Sequence, residues 1–365
     1  MNKVLAVFAG QKRPLGGCEI YRVTMPFHYL EKKGHWKADW SFFDDIYEDV
    51  RRYGPTYWRK FFDTYDLFVF PRFYTKPEYQ AQLNDVFDVF HQLGKPIIYE
   101  VDDDYTNQYR HVVDGSAMDV ARRCDAITVT TPYLAETMKR ETSIEPYVLP
   151  NCVAPDVWHT LPSGTFRYGD KVVIGLTGSQ THVEDWRVLE TVLPKVLQND
   201  NVHLILMGYH PDYLKGLPNT SYLPGLPYEH YAQVIQHCDI ILTPVNDDGF
   251  NMGKSPIKAV EGMSARRKVG YNMGGAAVIS SDHPIYTLAI QHGKTGIITP
   301  HTPEAWLDYI NLLVEDEAYR HELQIQGHAW AVKHHDISKK WALWQNVYDA
   351  TLRKTNPRTT ASMKG

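Results

Sequence analysis

Short apolar runs alternate with helical segments along almost the whole chain, and no other feature of the sequence restricts the fold as strongly. In the N-terminal half, the runs that we predict to be strands are Val4–Ala9, Leu67–Phe70, Pro96–Val101, Ala126–Val129 and Tyr147–Leu149. Between these runs, we predict helical segments at Glu19–Lys33, Tyr79–Leu93 and Pro132–Arg140. Strands that are joined through helices form parallel sheets with helices on both faces.

The segment 150–158, PNCVAPDVW, interrupts this alternation with two prolines and is predicted to connect two domains. The alternation then resumes, with strands predicted at Val172–Leu176, Val202–Met207, Ile240–Pro244 and Ala276–Ser280 and a helix at Trp186–Leu197. A chain of 365 residues is long enough for two domains that each bury a core. We therefore predict an α/β protein of two Rossmann-like domains facing each other across a cleft, with ligands beyond the carboxyl ends of the strands.

Composition and charge narrow the functional classes. Hydrophobic residues make up 43% and charged residues 22%, as in ordinary globular proteins. The net charge of -5 argues against a dedicated nucleic-acid-binding protein. Cys18, Cys124, Cys152 and Cys238 form no CxxC pair, so we interpret them as reduced thiols and expect no zinc site. No apolar run is long enough to span a membrane, and the first ten residues resemble a buried strand rather than a signal peptide, which predicts a cytoplasmic protein.

The loop after the first predicted strand contains Gly16 and Gly17 at the mouth of a helix. Adjacent glycines there allow backbone N–H groups to approach a phosphate closely, although a plain tight turn is the alternative. The loop does not follow the GxGxxG pattern, and the acidic residue of the dinucleotide fingerprint is missing after the second strand. NAD binding is therefore not expected.

Three carboxylates, Asp102, Asp103 and Asp104, follow the third predicted strand. Close like charges raise one another's pKa or recruit a cation. One carboxylate at such a strand end can accept the proton of a substrate hydroxyl group. Two alternatives stay open. One is a solvated N-cap cluster for the next helix, and the other is a metal site, which is disfavoured because no further ligands are suitably spaced.

Two loops of the C-terminal half contain candidate anion-binding residues. Gly178, Ser179 and His182 follow its first strand, where a hydroxyl or an imidazole can bind a phosphate or a sugar, unless His182 is purely structural. Lys254 precedes a predicted helix at Ile257–Ser264, and an ammonium group beside an open helix N-terminus suits a diphosphate. Glu261, about two turns along that helix, can accept hydrogen bonds from both hydroxyls of a ribose.

Taken together, these segments resemble the GT-B glycosyltransferases of the group 1, or family-4-like, clan. The motifs that carry the resemblance are GGCEIYR (16–22), IIYEVDDD (97–104), ITVTTPYLAETM (127–138), VLPNCVAPDVW (148–158), IGLTGSQTH (174–182), CDIILTPV (238–245), FNMGKSPIKAVE (250–261) and AAVISSD (276–282). The resemblance implies an acceptor-side domain over 1–152 completed by a crossing helix at 338–354. It also implies a nucleotide-sugar-binding domain over 153–337, and we expect a mobile tail at 355–365.

The resemblance also implies roles for individual residues. Gly16 and Gly17 would approach the donor diphosphate, Lys254 would bind the leaving phosphates, and Glu261 would bond the nucleotide ribose. The candidate catalytic residues are Asp102, Asp103 and Lys254. The candidate donor-binding residues are Gly16, Gly17, Gly178, Ser179, His182, Pro244, Phe250, Asn251, Gly253, Lys254, Ser255 and Glu261.

The chain departs from the family pattern in three places. The first Glu of the family's E-x7-E motif falls at Gly253, and the candidates to supply its contact with the sugar are Asn246, Asp247, Asp248 and Asn251. Asp102 or Asp103 stands where many members carry a His. The segment 265–275 is longer than in the family and holds Arg266, Arg267 and Lys268, which form either a solvated loop or a contact for an acceptor or partner.

These observations predict an enzyme that transfers a hexose or related sugar from a UDP- or GDP-sugar to an acceptor hydroxyl group. The resemblance implies retention of configuration, and catalysis is expected to need no metal. The nucleotide sugar is a co-substrate, and no cofactor is expected. The acceptor is a glycan, a lipid-linked sugar or a modified DNA base, and peripheral contact with a membrane stays open. The alternatives are a viral-type enzyme that modifies a hydroxylated DNA base and a non-catalytic nucleotide-sugar-binding protein on the same scaffold.

Overall fold

The computed structural model describes residues 1–74, 80–106, 116–158 and 168–355, and the chain divides into two compact units. The first unit comprises Met1–Asn151, the short segment Met252–Ser255 and the C-terminal stretch from Ile337. The second unit comprises Cys152–Asn251 and Pro256–Asp336. Most of the predicted tail, from position 356 onward, lies outside the described residues.

The first unit contains a six-stranded parallel sheet in the order β2-β1-β3-β4-β5-β6. Its strands are β1 (Asn2–Phe8), β2 (Trp36–Phe42), β3 (Leu67–Pro71), β4 (Ile97–Val101), β5 (Ala126–Val129) and β6 (Tyr147–Val148). The strands β3, β4 and β5 are buried along their full length, as expected for strands covered on both faces. Because β2 lies on one side of β1 and β3 on the other, the chain reverses its winding direction between β1 and β3.

Helices cover this sheet, and two of them were not predicted. The helices are α1 (Gly17–Glu19), α2 (Met25–Lys32), α3 (Phe43–Asp63), α4 (Gln80–Gln92), α5 (Ser116–Arg122) and α6 (Pro132–Thr142), with a π-helical turn at Ile20–Thr24. The sequence pattern missed α3 because Gly54 interrupts it with a left-handed backbone (φ 77°), which divides the apolar periodicity into two short pieces. It missed α5 because this helix has only seven residues.

The second unit contains another six-stranded parallel sheet, in the order β14-β13-β10-β7-β8-β9, and a separate hairpin. The sheet strands are β7 (Val172–Gly178), β8 (Val202–Gly208), β9 (Thr220–Leu223), β10 (Ile240–Thr243), β13 (Ala277–Ser281) and β14 (Ile297–Thr299). The hairpin pairs β11 (Arg267–Val269) with β12 (Asn272–Gly274). The winding direction reverses between β7 and β10, and two parallel α/β sheets confirm the predicted fold class.

The helices of the second unit are α7 (Pro155–Trp158), α8 (Leu193–Val196), α9 (Tyr228–Ile235), α10 (Ile257–Ser264), α11 (Pro284–Thr287), α12 (Pro303–Glu315) and α13 (Glu317–His334). The continuous helix that we predicted at Trp186–Leu197 is wrong. A 3-10 turn covers Asp185–Leu189, and α8 starts afresh with Pro194 in its first turn. Proline lacks the N–H that a helix interior requires and is tolerated only at a helix start.

The last helix, α14 (Ile337–Thr355), belongs to the first unit and packs against α2. Tyr348 contacts Phe27 and Trp36 edge to face, with ring centroids 6.4 Å and 5.6 Å apart. None of the helices in the part of the chain that the structure describes has the length and apolar character needed to cross a bilayer.

Gly208 ends β8 at a point where two backbones nearly touch. Its φ is +93°, and a β-carbon there would lie 2.3 Å from the carbonyl oxygen of Gly178. The same oxygen accepts a hydrogen bond from the Tyr209 N–H at 2.7 Å. This contact fixes the ends of β7 and β8 beside the loop that carries Ser179 and His182.

Gly208→Ala is therefore expected to lower the free energy of unfolding by more than the cost of placing a residue with a β-carbon at a positive φ. Gly216→Ala is the matched control, because Gly216 also has a positive φ (+75°) but no atom within 4 Å of a β-carbon. We expect about 1 kcal/mol for Gly216→Ala and at least ~2 kcal/mol more for Gly208→Ala, measured by denaturant unfolding. Equal losses in the two variants would show that the close approach to Gly178 does not constrain the fold.

Candidate active site

The loop after β7 lies at the reversal point of the second sheet, where ligands bind in α/β folds. A β-carbon on Gly178 would meet His182 at 2.8 Å and Trp186 at 2.9 Å, so only glycine allows these rings to pack on the strand end. The Ser179 and Thr181 hydroxyls lie 2.7 Å apart and are exposed. His182 Nδ1 lies 2.8 Å from Asp185 Oδ2, which fixes the orientation of the imidazole ring.

Asp185 is a buried carboxylate that ties together the loops after β7 and β10. It is 3% exposed, and its Oδ1 accepts hydrogen bonds from Asn246 N at 2.9 Å and Asn251 Nδ2 at 2.8 Å. Asn251 also donates to the Asn246 carbonyl at 3.0 Å, and its own N–H is bound by Asp248. The sequence did not reveal Asp185 as a site residue, because in GSQTHVEDW (178–186) it resembles any acidic residue at the start of a helix.

This network leaves one polar atom of Asn251 aimed at no protein partner. The residue is 1% exposed, and its Oδ1 has no hydrogen-bond partner among the described residues. Both hydrogens of its amide are used, which sets the orientation of the group. Of the neighbouring candidate residues, Pro244 follows β10 directly and Phe250 is buried at 6% exposure.

Glu261 faces the end of β7 from α10 and is almost fully buried. The Tyr231 hydroxyl donates to Glu261 Oε2 at 2.6 Å and lies 3.1 Å from the Thr177 hydroxyl. Lys258, on the same helix, donates to Thr177 at 3.4 Å. The carboxylate is thus held in a fixed position beside the strand end by a residue, Tyr231, that the sequence did not reveal.

In the first unit, the carboxylates after β4 share the guanidinium of Arg72, which follows β3. Arg72 Nη2 lies 2.8 Å from Asp103 Oδ2, and its Nε lies 3.4 Å from Asp102 Oδ1 and donates to the Tyr105 hydroxyl at 2.6 Å. Arg72 has a left-handed backbone (φ 48°), which is costly for a residue with a β-carbon. Sequence reasoning also missed Arg72, since a cation directly after a strand carries no distinctive pattern.

Burial raises the pKa of Asp103 to about 6, with the neighbouring charge of Asp102 as the next cause, while Arg72 and Lys254 lower it. Such a carboxyl is poised to exchange a proton near neutral pH. The Cys18 thiol lies beside Asp102 and Asp103, all three offering ligand atoms within 4.8 Å of one another. Burial raises the pKa of Cys18 well above its usual range, which favours the protonated thiol.

The segment Met252–Ser255 packs against these carboxylates within the first unit. A β-carbon on Gly253 would lie 2.6 Å from Asp104 Cβ and 2.8 Å from the Asp104 nitrogen. A Glu at this position, as in the family pattern, cannot be accommodated here. Lys254 follows Gly253, and its positive charge lowers the pKa of Asp103. Ser255 accepts a hydrogen bond from Asn151 Nδ2 at 2.8 Å.

The two glycines of the first loop lie at the start of α1, where the Glu19 side chain already binds the free N–H of Gly16. The Gly16 N–H donates to Glu19 Oε2 at 2.7 Å, and Arg13 pairs with the other oxygen of Glu19 at 2.6 Å. Gly17 is exposed at the first helical position. The structure thus places an anion, the Glu19 carboxylate, at the position where the sequence predicted a phosphate.

A cavity of about 750 Å³ opens beyond the ends of β1 and β3, at the reversal point of the first sheet. Its aromatic lining consists of Phe8, Phe43, Phe73, Tyr74 and Tyr105, and its charged lining of Lys12, Arg13, Glu19, Asp44 and Arg72. Arg13 and Arg72 are each paired with carboxylates. The cavity therefore offers flat apolar faces, hydrogen-bond donors and acceptors, and charges of both signs.

The extra segment 265–275 contains the β11–β12 hairpin, and of its three basic residues Arg266 and Lys268 are exposed, whereas Arg267 is paired within the unit. Arg267 pairs with Asp239 at 2.6 Å and also donates to the Cys238 carbonyl. The β12 strand packs against α13, where the Gly275 N–H donates to the Gln324 carbonyl at 3.0 Å. Arg267 thus serves the internal packing of the second unit.

A protein-family model matches most of the second unit. Residues 171–316 match the family model described as Glycosyl transferases group 1. No curated protein sequence matches the chain.

Solved structures share the fold over nearly the full chain. Anabaena Alr3699/HepE in complex with UDP and glucose is 16% identical and has a TM-score of 0.69, covering 96% of this chain and 100% of its own. A sucrose-phosphate synthase from Thermosynechococcus elongatus is 12% identical, with a TM-score of 0.64 and coverage of 96% and 99%. A glycosyltransferase from Rickettsia africae is 11% identical, with a TM-score of 0.63 and coverage of 98% and 99%. The predicted GT-B fold is confirmed.

The raised pKa of Asp103 predicts how stability depends on pH. A folded-state pKa of about 6 against an ordinary value of 3.8 means that the folded chain binds more protons between these values. The contribution of Asp103 to stability is therefore present at low pH and lost as the pH rises through this window. Asp103→Asn should gain stability relative to the parent chain by roughly 2 kcal/mol between about pH 4 and pH 7. Urea unfolding at both pH values measures this, and a difference that does not change with pH would contradict it.

Proposed function

We propose that the chain is a glycosyltransferase that transfers a sugar from a UDP-sugar to an acceptor hydroxyl group, because residues 171–316 match the Glycosyl transferases group 1 family model. One observation on the segment 251–261 carries this proposal. Lys254 precedes α10, and Glu261, whose carboxylate is held by Tyr231, lies on α10. The structures of Anabaena Alr3699/HepE, which share this fold, contain UDP or UDP-glucose.

Glu261 is proposed to accept hydrogen bonds from the ribose hydroxyls of the nucleotide. Its position is supported by Tyr231, which binds one oxygen and is itself held by Thr177. A carboxylate fixed in this way loses little conformational entropy when a ribose binds. Asn251 is proposed to use its unpartnered Oδ1 to accept a hydrogen bond from a sugar hydroxyl, in place of the Glu that Gly253 excludes.

Lys254 is proposed to neutralise the charge that develops on the departing diphosphate. A fixed ammonium group stabilises such charge most strongly where water is excluded. We propose that this charge, together with the start of α10, allows catalysis without a metal. Retention of configuration, which the family resemblance implies, then requires the acceptor hydroxyl group to attack from the face that the diphosphate leaves. A rate that is unchanged by excess EDTA is the outcome expected for the first point.

The acceptor is proposed to bind in the cavity of the first unit, beside Arg72 and the carboxylates after β4. Its aromatic walls suit the flat faces of sugar rings, and its paired charges offer hydrogen bonds without a strong net field. A polyanion such as DNA would gain from unpaired cations, whereas Arg13 and Arg72 of this lining are already paired with carboxylates. Asp103, with its pKa near 6, is proposed to take up the proton of the acceptor hydroxyl.

Lys254→Ala is expected to reduce kcat by roughly a hundredfold or more while the fold is retained. The matched control is Lys215→Ala, which removes an exposed lysine paired with an exposed Asp212. Release of UDP from a panel of UDP-sugars measures turnover, and thermal shift with each sugar nucleotide identifies the donor. Near-normal turnover of Lys254→Ala would remove this lysine from the mechanism.

Glu261→Gln is expected to weaken UDP binding by about tenfold, because one of the two oxygens that accept from the ribose is replaced by a donor. Glu229→Gln, at an exposed position of α9, supplies the control. Isothermal titration calorimetry with UDP measures both variants. An unchanged affinity in Glu261→Gln would place the ribose elsewhere.

A further inference from the structure

Arg22 is a fully buried cation that links β4 to the segment of Leu149 and Asn151 within the first unit. Its side chain is 1% exposed and forms a two-point ion pair with Glu100, at 2.6 Å from Nε and 3.1 Å from Nη2. Thr128 donates to the same carboxylate, and Trp344 of α14 lies under the guanidinium at 5.8 Å. Glu100 belongs to β4 and precedes Asp102 by two residues, so Arg22 anchors the strand that carries the candidate base.

The remaining nitrogen of Arg22 extends this network toward Lys254. Arg22 Nη1 donates to the Leu149 carbonyl at 2.5 Å and to Asn151 Oδ1 at 2.9 Å. With its oxygen held in this way, Asn151 turns its Nδ2 toward Ser255 Oγ, at 2.8 Å. Ser255 is the residue directly after Lys254, and both belong to the segment that packs on the carboxylates.

We propose that Arg22 and Asn151 are positioning residues for catalysis, which hold Lys254 at its working place through the hydrogen bond from Asn151 to Ser255. The chain of contacts runs from Glu100 through Arg22 and Asn151 to Ser255. Through these contacts, the buried cation Arg22 holds in position both the end of β4, which the three aspartates follow, and the segment that carries Lys254. The inference rests on the proposed function, in which Lys254 stabilises the leaving diphosphate.

A hydrogen bond of this kind also adds to stability, so the test needs a readout that stability alone does not change. Asp103 supplies it, because Lys254 lowers its pKa. The other groups that face Asp103 are Asp102 and Asp104 on its own loop, Arg72 after β3 and the Cys18 thiol of α1. The ion pairs that Arg72 forms with Asp102 and Asp103 do not involve Asn151 or Ser255, so we expect a change in the titration of Asp103 to report the position of Lys254.

The experiment compares Asn151→Ala, Ser255→Ala, the double variant and Ser255→Thr, which keeps the hydroxyl. We expect each alanine variant to lower kcat by about tenfold, the double variant to lower it no further, and Ser255→Thr to retain most of the rate. The titration midpoint of Asp103, followed by carboxyl carbon NMR, should move to higher pH in the alanine variants. Arg22 itself is left intact, since its removal strands a buried Glu100 and threatens the fold.

Tyr65→Phe is the matched control, because it removes a 3.0 Å hydrogen bond to Asp39 in the same unit, away from this network. It should lose similar stability with no change in kcat or in the titration of Asp103. Additive losses in the double variant, or an unmoved Asp103 midpoint in both alanine variants, would overturn the positioning role. The NMR titration requires no turnover, so a parent chain that fails to transfer sugar would reject the proposed function without deciding the position of Lys254.

Discussion

The close contact between Gly253 and Asp104 is the constraint on which the candidate site depends. Because the backbone of Asp104 leaves no room for a β-carbon at Gly253, the segment that carries Lys254 can lie directly on the carboxylates after β4. This contact brings an ammonium group to a pair of acids whose charges Arg72 already shares. A Glu, which the family pattern places at this position, has no space for its side chain here.

Buried polar groups, rather than apolar packing, fix the candidate loops within each unit. Asp185 binds the loops after β7 and β10 through the backbone of Asn246 and the amide of Asn251. Arg22 performs the corresponding role in the first unit through Glu100 and Asn151. A buried charge is costly unless each of its bonds is made, so such networks favour one arrangement of the loops over all others. Loops held in this way can present side chains to a ligand without reorganisation.

The sequence predicted much of the fold because parallel strands are continuous apolar runs. The runs at Leu67–Phe70 and Ala126–Val129 are fully buried strands in the structure. The strand Trp36–Phe42 was missed because it lies at the sheet edge, where exposed and buried positions mix and Lys37 and Asp39 break the apolar run. Pro194 divides a stretch whose apolar spacing alone indicates one helix.

Candidate site residues could be predicted where a local pattern carries them, and not where they act through distant contacts. Lys254 and Glu261 belong to one segment whose spacing is visible in the sequence. Arg22 bonds a residue 129 positions away, and Asp185 bonds one 61 positions away. Arg72 likewise depends on carboxylates that follow the next strand, and no local pattern indicates such pairings. Only the sheet order, which brings β3 beside β4 and β7 beside β10, places these groups together.

A crystal structure of the chain with bound UDP tests the central claim most directly. The account predicts the diphosphate within hydrogen-bonding distance of Lys254 Nζ and the ribose hydroxyls on the Glu261 carboxylate. A nucleotide bound in the cavity beside Tyr74 and Arg13, with Lys254 and Glu261 making no contact to it, would contradict the account.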